Sequence, residues 1–291
     1  MQRKPSWLVV PAPKRDDLDW MQKLLGEGRL NTVCESADCP NIGECFSQKT
    51  CTFMIMGNVC TRHCRFCAVN SSSLPLPLRI DEPKAVAETA RQLGLQHIVV
   101  TSVTRDDLAD DGAGHFAATI RTIRELCPAV TIEVLVPDFR GKEECLRQVV
   151  EAAPHVLSHN METVPRLYRQ VRPEAVYERS LDLLNRAGQS GRSITKSGLM
   201  LGLGERYEEV VQVMQDLRTA GCRMITLGQY LSPSRQHIPV AEYIHPAVFQ
   251  QLEQAAYALG FGQVVAGPMV RSSYHSARSF NNLRSAAASC K

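Results

Sequence analysis

The sequence predicts an α/β fold: a partial (β/α)6 barrel of the TIM type, flanked by an N-terminal extension and a C-terminal tail. Three observations carry that prediction. Six short runs are apolar almost throughout, as expected of strands covered on both faces. Amphipathic stretches of helical length separate them, so strand and helix alternate as in a parallel sheet. No glycine-rich phosphate turn follows the first strand, which disfavours the doubly wound open sheet. In chain order, the strands are expected over 52–56, 97–102, 130–136, 155–159, 194–201 and 224–229. The helices are expected over 82–94, 115–126, 142–153, 174–187, 206–220 and 246–259, with Gly94, Gly188, Gly221 and Gly260 placed to end four of them. The chain thus divides into an extension over 1–50, a barrel over 51–262 and a C-terminal segment over 263–291.

Composition narrows the class. The chain has 291 residues, 44% hydrophobic and 22% charged, ordinary values for a globular protein. A net charge of +3 is too weak to argue for nucleic acid, though it suits an acidic protein partner. No apolar run is long enough to span a membrane. Near the N-terminus only Trp7 to Val10 are apolar before Pro11, too short for a secretion signal. Eleven cysteines without such a signal point to a reducing, cytoplasmic setting and to metal binding instead of disulfides.

Six of those cysteines fall in two triplets. Cys34, Cys39 and Cys45 read C-x4-C-x5-C, and Cys60, Cys64 and Cys67 read C-x3-C-x2-C. Three thiols within eight residues can wrap an iron–sulfur cube and leave its fourth iron open. Structural zinc would want a second C-x2-C knuckle, which is absent from the motif. The first triplet is also compatible with zinc, or with an electron relay completed by Cys51. In a parallel α/β fold, function gathers at the C-terminal ends of the strands. Cys60, Cys64 and Cys67 follow the first strand, residues 101–107 the second and residues 160–163 the fourth; Lys196 lies on the fifth, and residues 229–237 follow the sixth.

The C-x3-C-x2-C loop after the first strand resembles that of the radical S-adenosylmethionine superfamily. The resemblance implies that Cys60, Cys64 and Cys67 hold a [4Fe-4S] cluster whose open iron binds and cleaves S-adenosylmethionine. The chemistry is apt, because an unactivated C–H bond offers no acidity to a general base. A closer resemblance spans residues 30–276. The two triplets occur together with Arg271-Ser-Ser-Tyr274, with Thr101-Ser-Val-Thr-Arg-Asp-Asp-Leu108, with His159-Asn-Met-Glu-Thr163 and with the segments starting at Lys196 and Gly228. That combination is similar to the lipoyl synthase family.

The family resemblance implies an auxiliary [4Fe-4S] cluster on Cys34, Cys39 and Cys45, with Ser273 as its fourth ligand and its sulfur consumed in the reaction. The implied activity is insertion of two sulfur atoms at C6 and C8 of a protein-bound octanoyl-lysine. The implied partners are octanoylated lipoyl domains of 2-oxoacid dehydrogenase complexes and the glycine cleavage H protein. A flavodoxin or ferredoxin reductant and an iron–sulfur carrier that rebuilds the cluster are implied as well. Without the resemblance, Ser272 and Ser273 read as an ordinary polar turn. A synthase of the biotin synthase kind and a two-cluster electron carrier are the competing readings; the first triplet with the 271–274 motif speaks against the former, and the six-unit βα domain with a fourth cysteine missing from each triplet against the latter.

Supporting residues carry a second set of expectations. Asn160 and Glu162 could bond ribose hydroxyls of S-adenosylmethionine and Lys196 its carboxylate, or all three could serve as caps and ion pairs. Arg271 could anchor the C-terminal segment. Arg105, Asp106 and Asp107 read as a structural charge network, and His237 and His245 as capping or solvated side chains. Cys127, Cys145 and Cys222 read as core thiols and Cys290 as a tail residue. Four positions depart from the usual family text without removing a ligand. His63 and Arg65 stand where arginine and proline are common, Asp111 where glycine is common, and Ser276 where alanine is common. Cys51 is a fifth departure, at a position usually small and not cysteine.

Overall fold

The computed structural model describes residues 3–289; Cys290 lies outside them. The chain forms two compact units, one of residues 10–63 and 67–157, the other of residues 1–9, 64–66 and 158–291.

The first of these units begins with α1 (Arg15–Glu27), β1 (Asn31–Thr32), α2 (Val33–Ser36) and α3 (Ile42–Ser47). These elements make up the extension, to which the sequence reading assigned no strand or helix. All but α1 are short, and β1 is held by two antiparallel partners on β2 (Thr52–Ile55), Asn31 facing Met54 and Thr32 facing Phe53. β2 is wholly buried. A small parallel ladder then joins β3 (Val59–Cys60) to β4 (Asn70–Ser71), closing the loop that carries the second cysteine triplet. Next come α4 (Glu82–Gln92), β5 (His97–Ser102), α5 (Ala113–Leu126), β6 (Thr131–Leu135) and α6 (Glu143–Glu151). β2, β5 and β6 pair in parallel, with Thr52 opposite Val99 and His97 opposite Thr131. α6 shows why the helices form where expected: Glu143 and Glu144 favour its N-terminus, and Cys145, Leu146, Val149 and Val150 make one buried stripe.

β7 (Val156–Ser158) lies where the division between the units falls. The other unit continues with α7 (Tyr168–Val171), α8 (Tyr177–Gln189), β8 (Ile194–Leu201), α9 (Tyr207–Thr219), β9 (Met224–Gln229) and α10 (Pro246–Ala258). β8 pairs in parallel with β9, Lys196 opposite Met224. His245 caps α10, its Nδ1 accepting from the Ala247 amide at 3.2 Å, as the sequence suggested.

The six expected strands and six expected helices are all present within a few residues. Two features differ. Gly188 is inside α8, and it is Gly191, at φ +64°, that takes the left-handed turn beyond the helix. Within the segment read as a tail, β10 (Gln263–Gly267) adds a seventh parallel strand against β9, Gln263 opposite Met224, and α11 (Ser276–Ser289) follows. Five residues bounded by turns are too few to declare a strand by periodicity; the open edge of β9 recruits them.

Candidate active site

The loop after β2 is built around Cys60. Its sulfur accepts hydrogen bonds from the backbone amides of Arg62 (3.4 Å) and Thr104 (3.3 Å). Such bonds orient the sulfur and tune any metal it holds. Thr61 ties the loop to the end of β5, its amide and hydroxyl both donating to the Thr104 carbonyl at 3.0 Å, while its oxygen accepts from the Asp106 amide.

Arg62 completes the attachment. It is 7% exposed and forms a two-pronged pair with Asp106 (2.7 and 3.0 Å) and a further bond to Asp138 (2.6 Å). Burial opposes its charge, and the bonds to the two carboxylates more than offset that, so its pKa rises. Arg105 pairs with Asp107 at 2.7 Å while Asp106 pairs with Arg62, so the expected charge network is divided between two arginines. Replacing Arg62 with alanine removes the guanidinium partner of Asp138, whose side chain is fully buried. The expected loss is about 3–5 kcal/mol of unfolding free energy, measurable by denaturant titration, with lysine restoring only part because it lacks the fork.

Cys64 and Cys67 are half-buried. Arg65, standing where proline is common, donates its amide to the Val171 carbonyl at 3.0 Å, a bond proline could not make. Asp111, standing where glycine is common, keeps a left-handed backbone at φ +52°. Its fully buried carboxylate is held by Arg140 and by Lys142 at 3.1 Å.

The first triplet sits on the two short helices of the extension. Thr32 caps α2, accepting from the Glu35 amide at 3.3 Å, which places Cys34 in the first turn. Cys39 is drawn back by its amide bonding the Cys34 carbonyl (3.1 Å), and Cys45 lies on α3. Burial, then neighbouring thiols, pushes Cys34 up to about 12 and Cys45 up to about 11. Cys39 acts on both, so the three share one neighbourhood. Cys51 is buried there too, and burial followed by Cys34 and Cys45 raises it. Among the described residues, no three His, Cys, Asp or Glu side chains converge as they would on a single ion. An iron–sulfur cube spreads its ligands over separate irons and needs no such convergence. Crowded thiols whose burial and mutual repulsion disfavour the ionised form fit a site where iron replaces the protons.

The expected S-adenosylmethionine residues lie just after β7 (Asn160, Glu162) and within the first half of β8 (Lys196). Asn160 is 7% exposed, and its Nδ2 donates to Glu162 Oε1 (3.0 Å) and to Ser272 Oγ (2.6 Å). Its Oδ1 is buried and has no hydrogen-bond partner, an acceptor left open for a ligand donor. Glu162 is in the left-handed region at φ +64°, fixed there by bonds of its amide to Gly198 and of its carbonyl from Met200. Burial raises its pKa against the opposing pull of Arg172, the Asn160 amide and Arg271. Lys196, 1% exposed, donates to Ser276 Oγ at 2.9 Å. An amide, a carboxylate and an ammonium suit the hydroxyls and charged ends of S-adenosylmethionine. Two of the three also hold the C-terminal segment, a role the sequence did not suggest. Arg62, Asp138 and Ser272 were likewise missed as structural anchors, since no spacing rule links residues so far apart in the chain.

The remaining expectations are met locally. Cys127, Cys145 and Cys222 are buried, and His237 bonds Ser234 at 2.8 Å. Among the described residues, no helix is long and apolar enough to cross a membrane.

Comparisons with known proteins bear on the family and the fold. The radical SAM superfamily profile matches residues 54–217, more than half of the chain. A lipoyl synthase of Caldanaerobacter subterraneus subsp. tengcongensis is 59% identical over 94% of this chain and 95% of its own length. One from Thioalkalivibrio sulfidiphilus is 52% identical over 94% of this chain and 86% of its own. Among solved structures, methylornithine synthase aligns with a TM-score of 0.55 at 14% identity, over 86% of this chain and 71% of that one. The hydrogenase maturase HydG aligns with a TM-score of 0.58 at 17% identity, over 72% and 48%. The solved structures show the α/β fold, the sequence relatives show more, and the chain belongs to the lipoyl synthase family of the radical SAM superfamily.

Proposed function

We propose that this enzyme inserts two sulfur atoms, at C6 and C8, into an octanoyl chain held in amide linkage on a lysine of a carrier protein. The observation that carries this reading is the pair of cysteine triplets with Arg271-Ser-Ser-Tyr274 in a chain 59% identical to a lipoyl synthase over almost its whole length. When bound, the cofactors supply an adenosyl radical from S-adenosylmethionine at one [4Fe-4S] cluster and sulfide from the other.

The chain's residues bind and orient. Cys60, Cys64 and Cys67 hold the first cluster, with the Arg62 and Thr104 amides bonding the Cys60 sulfur. Asn160, Glu162 and Lys196 contact S-adenosylmethionine. Cys34, Cys39 and Cys45 hold the auxiliary cluster, with Ser273 as its oxygen ligand. A serine oxygen is a harder donor than a thiolate and suits iron–sulfur less well, so its iron is the easiest to release. Cys51, placed electrostatically beside Cys34 and Cys45, supports a second reading in which it is the fourth ligand. Iron counts on Ser273→Ala and Cys51→Ala separate the two.

The substrates are octanoylated lipoyl domains, here assigned to 2-oxoacid dehydrogenase complexes and the glycine cleavage H protein. A flavodoxin or ferredoxin supplies electrons and an iron–sulfur carrier rebuilds the auxiliary cluster, in the cytoplasm. The test is anaerobic reconstitution with reductant, S-adenosylmethionine and an octanoyl-lysine peptide, read by mass spectrometry. Deoxyadenosine together with a peptide gaining two sulfurs is expected. Deoxyadenosine without sulfur gain points to another radical enzyme, and no cleavage at all sinks both.

A further inference from the structure

The segment after β10 is held at several points within its unit. The Gln229 amide donates to the Pro268 carbonyl at 3.3 Å. Gly228 lies so close to Val270 that a Cβ there would stand 2.0 Å from its carbonyl oxygen, so only glycine lets the two backbones meet. Turn bonds run from the Tyr274 amide to Arg271 (2.9 Å) and from the Ser276 amide to Ser273 (3.3 Å). Two side chains then reach the segment, one from just after β7 and one from β8. Asn160 bonds Ser272 at 2.6 Å, and Lys196 bonds Ser276 at 2.9 Å.

We propose that Asn160 and Lys196 are positioning residues that clamp Ser272 and Ser276 and so fix Ser273, which lies between them in sequence. This rests on the reading of Ser273 as a ligand of the auxiliary cluster. A single weak oxygen donor on a turn is effective only if the turn is already ordered, because ordering it on binding costs conformational entropy. The clamp supplies that order. Lys196 is buried, and an ammonium removed from water demands an acceptor; the Ser276 hydroxyl provides one in a charge-assisted bond. An alanine at position 276 could not accept it. The Asn160 amide is itself seated on Gly198, where an added Cβ would stand 2.9 Å from Oδ1. The amide therefore has little freedom to leave Ser272. Because Asn160 keeps an unpartnered Oδ1, one side chain serves both the serine segment and the cofactor side.

The test uses the full chain, metal-free and reconstituted, with Ser272→Ala, Ser276→Ala and the conservative Ser276→Thr. These exchange small side chains, so the fold is expected to survive, and circular dichroism verifies it. Hydrogen exchange at the Val270, Tyr274 and Ser276 amides should be about tenfold faster in each alanine variant without metal, and close to wild type in Ser276→Thr. In reconstituted protein the alanine variants should lose iron to a chelator faster than wild type. Unchanged exchange in both alanine variants overturns the clamp. Faster exchange with wild-type iron retention, when Ser273→Ala does lose iron, overturns the claim that the clamp sets Ser273. If Ser273→Ala itself retains all iron, the ligand reading fails, whereas the exchange result still decides the clamp.

Discussion

Cys60→Ala is expected to reduce cleavage of S-adenosylmethionine to below detection and to lower bound iron from about eight atoms per chain to about four. Two consequences combine. On the proposed ligation, one of three thiolates is lost from a cluster that has no spare ligand in its motif. The Arg62 and Thr104 amides, which converge on the Cys60 sulfur at 3.4 and 3.3 Å, also lose their acceptor. The buried Arg62, Asp106 and Asp138 network does not involve the sulfur, so thermal stability should change little. The measurements are deoxyadenosine yield, iron content and the electron paramagnetic resonance signal of the reduced protein. Deoxyadenosine formed at a wild-type rate would remove Cys60 from the site.

Ser273→Ala is expected to have the second largest effect, of a different kind. Sulfur-containing product should fall to background while deoxyadenosine formation stays within about twofold of wild type, because the two cysteine sets are separately ligated. Ser273→Cys makes the contrast sharper. A thiolate suits iron–sulfur better than an oxygen donor, so iron should be retained while product formation slows by about tenfold. Equal activity of Ser273→Ala and wild type in both assays would assign the fourth position elsewhere, with Cys51 the nearest alternative on electrostatic grounds.

Much of the fold was legible because its signals are local. The buried strand at 97–102 and the helix starting at 246 can be read from residues a few positions apart, and they occur where expected. The extension was not legible. α2 and α3 have four and six residues, too few to show a period, and their places depend on β1 pairing with β2. β10 escaped notice for the same reason, being five residues that become a strand only against β9. The departures from family text gained meaning only in three dimensions. Ser276 was an unexplained change until Lys196 was found bonded to it, and Asp111 until Arg140 and Lys142 were.

The sequence by itself determined the chemistry. Thiol spacing, the 271–274 motif and alternating apolar runs are properties of the chain order, and they suffice for the family, the cofactors and the parallel α/β fold. Only the tertiary structure decided how those groups are held. Arg62 meets Asp138 across 76 positions, and Asn160 meets Ser272 across 112. Such contacts follow from which strand ends lie side by side, and short-range patterns along the chain carry no record of that.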